Sequence, residues 1–330
     1  MLQLQNNTPF AVDNAFFANE DAIDTLYILV RATFNIGKHW HLADEQLQPI
    51  VADEYWTEPA KSSIKYSSDY HTGKVCSDII MLGHAFSPEG KDVHQLDVNL
   101  RVGEVHKIVR VFGEREWHNG QITQARSFKT MAMVYEKAFG GVHILDGAVK
   151  TMEQRNPVGR GFSGTRTVEE MNGVLLPNLE DPYDLISDIN HKPNPACFGV
   201  SAPHWMPRAG YAGTYDDNWQ KRRAPYLPID FDKRFFSVAH PDLVYPGYLQ
   251  GGERVEISNM HSNGNISFNL PRVHFQAEVS LDDALVRPRF NLETLLLEPN
   301  QLKASMLWRG AVRCDKKMLK ISSVKVTTTK

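Results

Sequence analysis

Residues Val93 to Gly113 read VHQLDVNLRVGEVHKIVRVFG. Apolar and polar residues alternate on both sides of Gly103-Glu104, and a period of two is that of a strand with one face buried. Two alternating runs joined by a short turn that contains glycine are typical of a β-hairpin. Pro88-Glu89-Gly90 supplies a turn before the first run. The sequence therefore predicts an antiparallel hairpin over Val93–Gly113.

The β pattern extends outward to both ends of the chain. Thr25–Ile36 (TLYILVRATFNI) and Ser77–Phe86 (SDIIMLGHAF) are apolar runs without helical spacing, which favours strands. Near the C-terminus, turn signals such as Asn263-Gly264 and Asp282-Asp283 separate short apolar runs, which predicts a meander of antiparallel strands. These runs are Arg254–Ile257, Ile266–Leu270, Arg272–Leu281, Ala284–Phe290, Leu292–Leu297 and Leu302–Val312.

A different kind of sequence, Asn156–Phe236, lies between these β regions and is crowded with proline, glycine and aromatic residues. Disordered segments rich in proline and glycine usually lack aromatic residues and carry one sign of charge. This segment has many rings and mixed charges, so we predict that it is ordered but irregular, with its path fixed by prolines. The rings expected to pack it on the β regions are Trp205, Trp219, Phe231 and Phe235.

The predicted fold class is mainly β, with antiparallel β-sandwich-like regions at both ends and a long irregular insert rich in proline, glycine and aromatic residues. The predicted divisions are an N-terminal β region at 1–145, the insert at 146–250 and a C-terminal β region at 251–330. Helical patterns are scarce, and Val168–Met171 and Asp184–Asn190 are each expected to hold a turn or two.

Composition narrows the class of protein. The 330 residues carry a formal net charge of -3, whereas nucleic-acid binders usually have a basic surplus. Cys76, Cys197 and Cys314 are widely spaced without a C-x-x-C pair, so they indicate a reducing cytoplasm rather than a disulfide framework. The N-terminal sequence lacks the pattern of a signal peptide, and no stretch reaches the ~18 apolar residues of a membrane span. We expect a cytoplasmic protein without membrane insertion.

No motif predicts a nucleotide or metal site. Gly159–Gly164 matches G-x-G-x-x-G, but Asn156-Pro157 precedes it where a nucleotide-binding unit has a strand, so a structured glycine loop is expected. His39 and His41 would share one face of a strand, a spacing that metals use, although no third ligand follows nearby. We read them as two exposed histidines at a sheet edge.

The acidic residues of the insert raise a catalytic alternative. Glu180-Asp181, Asp216-Asp217 and the pair Asp230/Asp232 could form carboxylate pairs for hydrolysis. Cys197 could be a nucleophile with a distant histidine. The settings of the carboxylates, GTYDD and IDFD, are more typical of turns and caps, in which the side chain accepts from backbone N–H groups. We therefore predict no catalytic residue, no cofactor and no metal.

Many separate motifs, in a fixed order, give the chain a specific resemblance. They are S-S-I-K-Y-S-S-D at Ser62–Asp69, S-D-I-I-M-L-G-H-A at Ser77–Ala85, L-R-V-G at Leu100–Gly103, V-x-G-E-R-x-W at Val111–Trp117, Y-E-K-A-F-G-G at Tyr135–Gly141, and, in the insert, N-P-V-G-R-G-F, L-P-N-L-E, G-T-Y-D-x-x-W and L-P-x-D-F-D. From roughly Leu4 to Pro271 the sequence resembles a bacterial family long catalogued as a domain of unknown function. Its members are associated with type VI secretion as effector-loading adaptors or chaperones. The resemblance is to the stand-alone form, without pentapeptide repeats.

The resemblance implies a cytoplasmic protein that binds a type VI secretion effector, or its PAAR-type tip region, and assists its loading onto the VgrG spike. Tyrosine, tryptophan and arginine are enriched at interface hot spots. The predicted partner-binding residues are Trp205, Arg208, Tyr211, Tyr215 and Trp219, with Lys221–Arg223 as a charged rim. Two alternatives stay open: a hydrolase that uses the insert carboxylates, and a carbohydrate-binding β-sandwich that stacks sugars on the insert's rings.

Overall fold

A computed structural model describes residues 2–37 and 39–329. Strands make up 40% of the residues and helices 9%, so the prediction of a mainly β protein is confirmed. Within the described residues, no helix is long and apolar enough to cross a membrane.

The regular elements are short and numerous. In chain order the strands are β1 (Gln3–Asn7), β2 (Ala11–Ala18), β3 (Asp24–Asn35), β4 (His41–Leu42), β5 (Glu54–Tyr55), β6 (Ile64–Tyr66), β7 (Asp78–Met81), β8 (His84–Phe86), β9 (Gln95–Val102), β10 (Val105–Phe112), β11 (Trp117–His118), β12 (Gln121–Ile122), β13 (Thr130–Ala132), β14 (Phe139–Gly140), β15 (Val142–Leu145), β16 (Ala148–Met152), β17 (Arg160–Gly161), β18 (Leu179–Glu180), β19 (Arg254–Ser258), β20 (Ile266–Asn269), β21 (Phe275–Leu281), β22 (Ala284–Val286), β23 (Phe290–Glu298), β24 (Lys303–Arg313) and β25 (Ile321–Thr328). The helical elements are α1 (Asp217–Arg222) and 3₁₀ turns at Pro88–Gly90, Tyr135–Lys137, Arg208–Tyr211, Lys233–Phe236, Pro241–Leu243, Pro299–Gln301 and Met318–Lys320.

Six strands form a central sheet in the order β2-β3-β24-β23-β7, with β4 paired to β3. The long strand β3 matches the run predicted at Thr25–Ile36. β3 pairs along its length with β24, and β23 pairs in parallel with β7. The β regions predicted at the two ends of the chain are therefore built into one sheet.

The second sheet contains the predicted hairpin and has the order β18-β10-β9-β19-β20. β9 and β10 pair with Val102 opposite Val105, which confirms the hairpin over Val93–Gly113. Gly103, in the two-residue turn, has a positive φ of 55°, a conformation that glycine adopts without steric cost.

The C-terminal strands lie close to the predicted runs, but the prediction of one meander is wrong. β19–β20, β21–β22 and β23–β24 are three hairpins, and each belongs to a different sheet. The third sheet, β1-β25-β21-β22, is completed by strands from both chain ends, which the sequence prediction missed. Alternation predicts a strand and its buried face, whereas the sheet that it joins depends on partners far away in sequence.

The two faces of the central sheet differ in chemistry. We call the side that bears Ile28, Val30, Ala32 and Phe34 the apolar face. One end of it packs on the third sheet and the other end packs on the second sheet, in two adjoining cores. We call the opposite side the polar face, and chain segments 43–78 and 236–238 lie over it. It bears Arg31, Asp78, Glu293 and Arg309.

The insert is irregular between β16 and β19. Val168–Met171 and Asp184–Asn190 form turns without a regular helix. Trp205 is buried as predicted, and its ring packs edge-on against Tyr135 with centroids 5.3 Å apart. The contact with the cover of the central sheet is made by Phe236, which stacks on His71 at 4.8 Å.

Three of the rings predicted to pack the insert on the β regions instead pack within it. Trp219 lies edge-on to Tyr215, and its Nε1 donates to the carbonyl of Tyr226 at 2.8 Å. Phe231 packs on Phe235 with ring centroids 5.7 Å apart. These rings therefore build a small aromatic layer that belongs to the insert itself.

Candidate partner-binding surface

The insert borders an open cleft of about 740 Å³. Met206, Arg208 and Tyr211 line one side, and Arg234 and His240 line the other. The cleft is built by two 3₁₀ turns, Arg208–Tyr211 and Lys233–Phe236, that lie side by side. We refer to this concavity as the cleft.

Arg208 holds the two sides of the cleft together. Its Nε donates to the carbonyl of Phe235 at 2.6 Å, and its Nη1 donates to the carbonyl of Ser201 at 2.6 Å. Its Cζ lies 5.2 Å from the centroid of the Phe235 ring, a cation–π distance. Because irregular backbone lacks ladder hydrogen bonds, a side chain that reaches two carbonyls can fix its path.

The structure places the five predicted partner-binding residues at different depths. Trp205 is 1% exposed and Arg208 is 7% exposed, so both are framework residues, and Arg208 also lines the cleft. Tyr211 is half-buried in the cleft wall. Tyr215 is 53% exposed, beside the half-buried Trp219. A partner-binding role stays a prediction for each, and only Tyr211, Tyr215 and Trp219 present ring surface to solvent.

The three residues predicted to form a charged rim, Lys221–Arg223, also differ in exposure. Lys221 and Arg222 are exposed in the last turn of α1. Arg223 donates from Nε to the carbonyl of Leu227 at 2.8 Å and from Nη2 to the carbonyl of Glu20 at 2.6 Å. Arg223 therefore ties the insert to the N-terminal β region, and the rim consists of the two preceding residues.

A second candidate surface was missed from the sequence. The hairpin β15–β16 exposes apolar side chains on one face, with Ile144 54%, Val149 52% and Met152 47% exposed. The buried His143 lies on its other face, where a Cβ on Gly164 would come within 2.6 Å of it. We call the three exposed residues the apolar ridge.

The signal for this hairpin was present in the sequence. Asp146-Gly147 stands between two short apolar runs, and an Asp-Gly pair in that setting is a strong indication of a two-residue hairpin turn. Both residues have a positive φ, 51° for Asp146 and 79° for Gly147, as a type I′ turn requires. The sequence reading missed the hairpin because it treated this segment as the start of the irregular insert.

The ridge and the cleft are parts of one continuous surface. A groove of about 590 Å³ lies beside the hairpin and is lined by Met152, Met206 and Arg155, among others. Met206 and Arg155 also line the cleft. Methionine side chains are flexible and polarizable, and they recur at surfaces that adapt to a partner. The ridge, groove and cleft together therefore form an extended, partly apolar candidate interface.

The thiols and imidazole of this region are not activated. Burial raises the pKa of the Cys76 thiol in the cleft wall, and it raises the pKa of the fully buried Cys197 to about 12. Burial, together with the nearby Lys107, lowers the pKa of His240 to about 4. A thiol with a raised pKa is a poor nucleophile at neutral pH, and a histidine that stays neutral there lacks the pKa near 7 typical of a general base.

The insert carboxylates close turns, as the sequence predicted. Asp216 caps α1 by accepting from the Trp219 N–H at 2.8 Å. Asp230 accepts from both the N–H and the hydroxyl of Thr214, at 3.0 and 2.7 Å. Asp232 accepts from the N–H of Arg234 at 2.9 Å and pairs with its guanidinium. Each carboxylate has a local structural task.

The remaining motifs are also accounted for by local structure. His39 and His41 are exposed, and no group of three metal-binding side chains occurs in residues 2–37 and 39–329. In the glycine loop, Gly161 has a positive φ of 89°, and a Cβ there would lie 2.7 Å from Cδ of Pro177. The loop is shaped for packing, since Gly159 lies against Asn156 in the same way.

Comparison with known proteins places the chain in a family. Residues 21–309 match the family described as "uncharacterized protein conserved in bacteria (DUF2169)", so the chain belongs to it. No curated protein matches the chain, and no solved structure matches it.

Proposed function

We propose that this protein is a cytoplasmic adaptor that binds a type VI secretion effector, or its PAAR-type tip region, and assists its loading onto the VgrG spike. The single observation that carries a binding function is the continuous surface of apolar ridge, groove and cleft on one region of the insert. The secretion context rests on the ordered motifs that resemble the effector-loading family.

The ridge is suited to the centre of an interface. Three large apolar side chains about half exposed on a two-stranded ribbon leave hydrocarbon in water, which binding of a partner would remove. Each fully buried side chain of this size contributes roughly 1.5–3 kcal/mol. A ribbon of two strands also offers unpaired edge groups to an extended partner segment.

Two exposed charges of the insert are suited to the rim of an interface. Lys221 and Arg222 are exposed on α1, next to the aromatic pair Tyr215–Trp219. Rim charges act chiefly on the rate of association and contribute little to affinity. An adaptor must hold its cargo and later release it, and an apolar centre with a solvated rim meets both needs.

A catalytic function finds less support. The candidate carboxylates are occupied by turns and caps, and the candidate thiol is completely buried. The hydrolase alternative would require a nucleophile, a base and an orienting group within hydrogen-bond reach of one another. A bound effector would favour the adaptor, whereas turnover of a candidate substrate would favour the enzyme.

The test is capture of partners from the native cell, with mass spectrometry of the proteins retained by the full chain. We expect an effector or a spike component among them, and then a complex of the two purified proteins in calorimetry. Replacement of a hot-spot residue, as Ile144→Ser or Tyr215→Ala, should weaken that complex by about 2 kcal/mol or more.

Leu285→Ser is the matched control. Leu285 is 56% exposed on the strand β22 of the third sheet, so it equals Ile144 in exposure but lies outside the proposed interface. We expect this change to alter binding by less than about 0.5 kcal/mol. Absence of secretion proteins from the captured set would contradict the proposed function. Equal binding by all three variants would show that the interface lies on another surface of the protein.

A further inference from the structure

Arg208 is a buried cation on the wall of an open cleft. It is 7% exposed, and no carboxylate of the described residues lies within 4 Å of it. Nε and Nη1 are bound to backbone carbonyls, whereas Nη2 has no acceptor within the described part of the chain. Nη2 is also not among the fully enclosed polar atoms that lack a partner, so it keeps some access to solvent, and Arg208 lines the cleft.

The other buried arginines of the described residues are paired with acids. Arg31 pairs with Asp69, Arg115 with Glu180 and Arg309 with Glu293. The cations around the cleft are paired as well: Arg155 with Glu153, Arg234 with Asp232 and Lys107 with Asp242. Arg208 thus differs from every other cation that is buried nearby or lines the cleft with it.

The pKa of the Arg208 guanidinium agrees with the lack of a nearby counter-charge. Burial lowers the pKa of Arg208 to about 10, and the more distant Asp53 and Asp78 offset this only in part. A buried charge without a partner is unfavourable, and an anion brought to the free Nη2 would compensate it. Arginine at such a site favours planar carboxylate or phosphate oxygens as acceptors.

We propose that the cleft binds one carboxylate of the partner polypeptide at the free Nη2 of Arg208. This inference rests on the adaptor function, and it adds the chemistry by which the cleft selects a segment. A polypeptide fits better than a small anion because the cleft continues, through Arg155 and Met206, into the groove beside the apolar ridge. Neighbouring side chains of the segment would meet the apolar wall formed by Val75, Ala239 and Val244.

The cleft favours a single carboxylate over an acid-rich segment. Asp181 also lines it, partly exposed and with no cation within 4 Å among the described residues. A solvated carboxylate needs no counter-ion, but it repels a second anion nearby. The carboxylate can come from an aspartate or glutamate side chain or from a chain end, and the test separates these sources.

The first test uses the wild-type full chain and three capped peptides. Acetyl-Val-Asp-Val-amide offers a side-chain carboxylate, acetyl-Val-Asn-Val with a free C-terminus offers a terminal one, and acetyl-Val-Asn-Val-amide offers none. The readout is the NMR resonance of the Arg208 Nε–H, assigned by its loss in Arg208→Lys. We expect a saturable shift with one or both carboxylate peptides up to about 10 mM and none with the neutral peptide. No shift with either, or an equal shift with the neutral peptide, would overturn the inference.

The second test uses the captured partner. Arg208→Lys and Arg208→Met should weaken the complex at least tenfold. Arg287→Lys is the control, at an arginine that pairs with Glu278 of the third sheet and lies outside the proposed interface. Equal binding by folded Arg208 variants would overturn the carboxylate site while leaving the adaptor function standing. If no partner is captured the adaptor function fails, and the peptide titration on the wild-type chain still decides whether the site exists.

Discussion

The two faces of the central sheet are covered in different ways. The apolar face is covered by two other sheets, whose backbone groups are already paired in their own ladders, and its core residues are aliphatic and aromatic. The polar face is covered mostly by irregular chain, in which the short pair β5–β6 forms a ladder but many other N–H and C=O groups have none to join. Buried charges supply the missing partners there, as when Asp78 accepts from the Val238 N–H at 2.7 Å and Arg309 donates to the Asp69 carbonyl at 2.5 Å.

The charges of the polar face balance one another. Three pairs lie within it: Arg31–Asp69 at 3.2 Å, Lys74–Asp78 at 2.6 Å and Arg309–Glu293 at 2.7 Å. A register shift between Leu292 and Thr294 marks a β-bulge in β23. A β-bulge adds one residue to a strand, so Glu293 and the next residue, Thr294, both lie on this face. The kind of cover therefore decides whether a sheet face can be apolar.

The largest expected effect comes from unbalancing the polar face with Asp78→Ala. This change leaves Lys74 buried without its counter-charge and the Val238 N–H without an acceptor. We expect the free energy of unfolding, measured in urea, to fall by about 3–5 kcal/mol. A loss below about 1 kcal/mol would contradict the view that the polar face depends on balanced buried charges.

A double variant serves as the control for this loss. Lys74→Met combined with Asp78→Ala removes both charges, so it should cost clearly less than the sum of the two single changes. Strict additivity would mean that the pair contributes no coupling and that the loss reflects packing alone.

We expect acid to lower the free energy of unfolding through a buried group of the polar face and not through residues of the apolar face. The His71 ring is fully buried between Phe236 and Arg309, and burial and the cations around it hold its pKa well below the usual 6.5. The unfolded chain therefore binds a proton that the folded chain does not, so stability is full above about pH 6.5 and is lost as the pH falls below it. The expected slope is about 1.4 kcal/mol per pH unit for each such histidine.

His71→Gln tests the origin of this slope. The free energy of unfolding should depend on pH less steeply in this variant, by about one proton, between pH 6.5 and 5. His240, whose pKa is about 4, should continue to contribute its own slope down to that pH. An unchanged profile would show that His71 is not the titrating group.

A smaller effect is expected on the apolar face, where Ile28→Val removes one buried methylene group. Ladder-paired sheets on both sides hold the site, and no charge is exposed by the change. We expect a loss of about 1 kcal/mol in the free energy of unfolding. The pH profile should run parallel to that of the wild-type chain, and a change in its slope would mean that the two faces are coupled.

The sequence predicted the apolar face better than the polar one for a physical reason. The apolar run of β3, and the alternation over β9 and β10 in the sheet that packs on this face, can both be read locally. The polar face depends on distant pairs, such as Lys74 Nζ with the hydroxyl of Thr294 at 3.0 Å, and no local pattern predicts them. The candidate site was predicted in part for the same reason: ring density pointed to the insert, but which rings are exposed depends on tertiary packing.

The smallest effect is expected from charge changes at the exposed surface of α1. Lys221 and Arg222 are exposed and lie in no ion pair among the described residues, so Lys221→Gln with Arg222→Gln should alter the free energy of unfolding by less than about 0.5 kcal/mol. The adjacent Arg223→Gln should cost roughly 1.5 kcal/mol, because its guanidinium is bound to two carbonyls.

With a captured partner, the double variant Lys221→Gln with Arg222→Gln should associate several-fold more slowly at low salt and dissociate at an unchanged rate. The difference in association rate should vanish near 1 M salt, where the Debye length is about 3 Å. Stopped-flow or surface-based kinetics at several salt concentrations measure both rates. A salt-independent change in dissociation would place these two charges within the buried part of the interface, where a cation behaves as it does on the polar face.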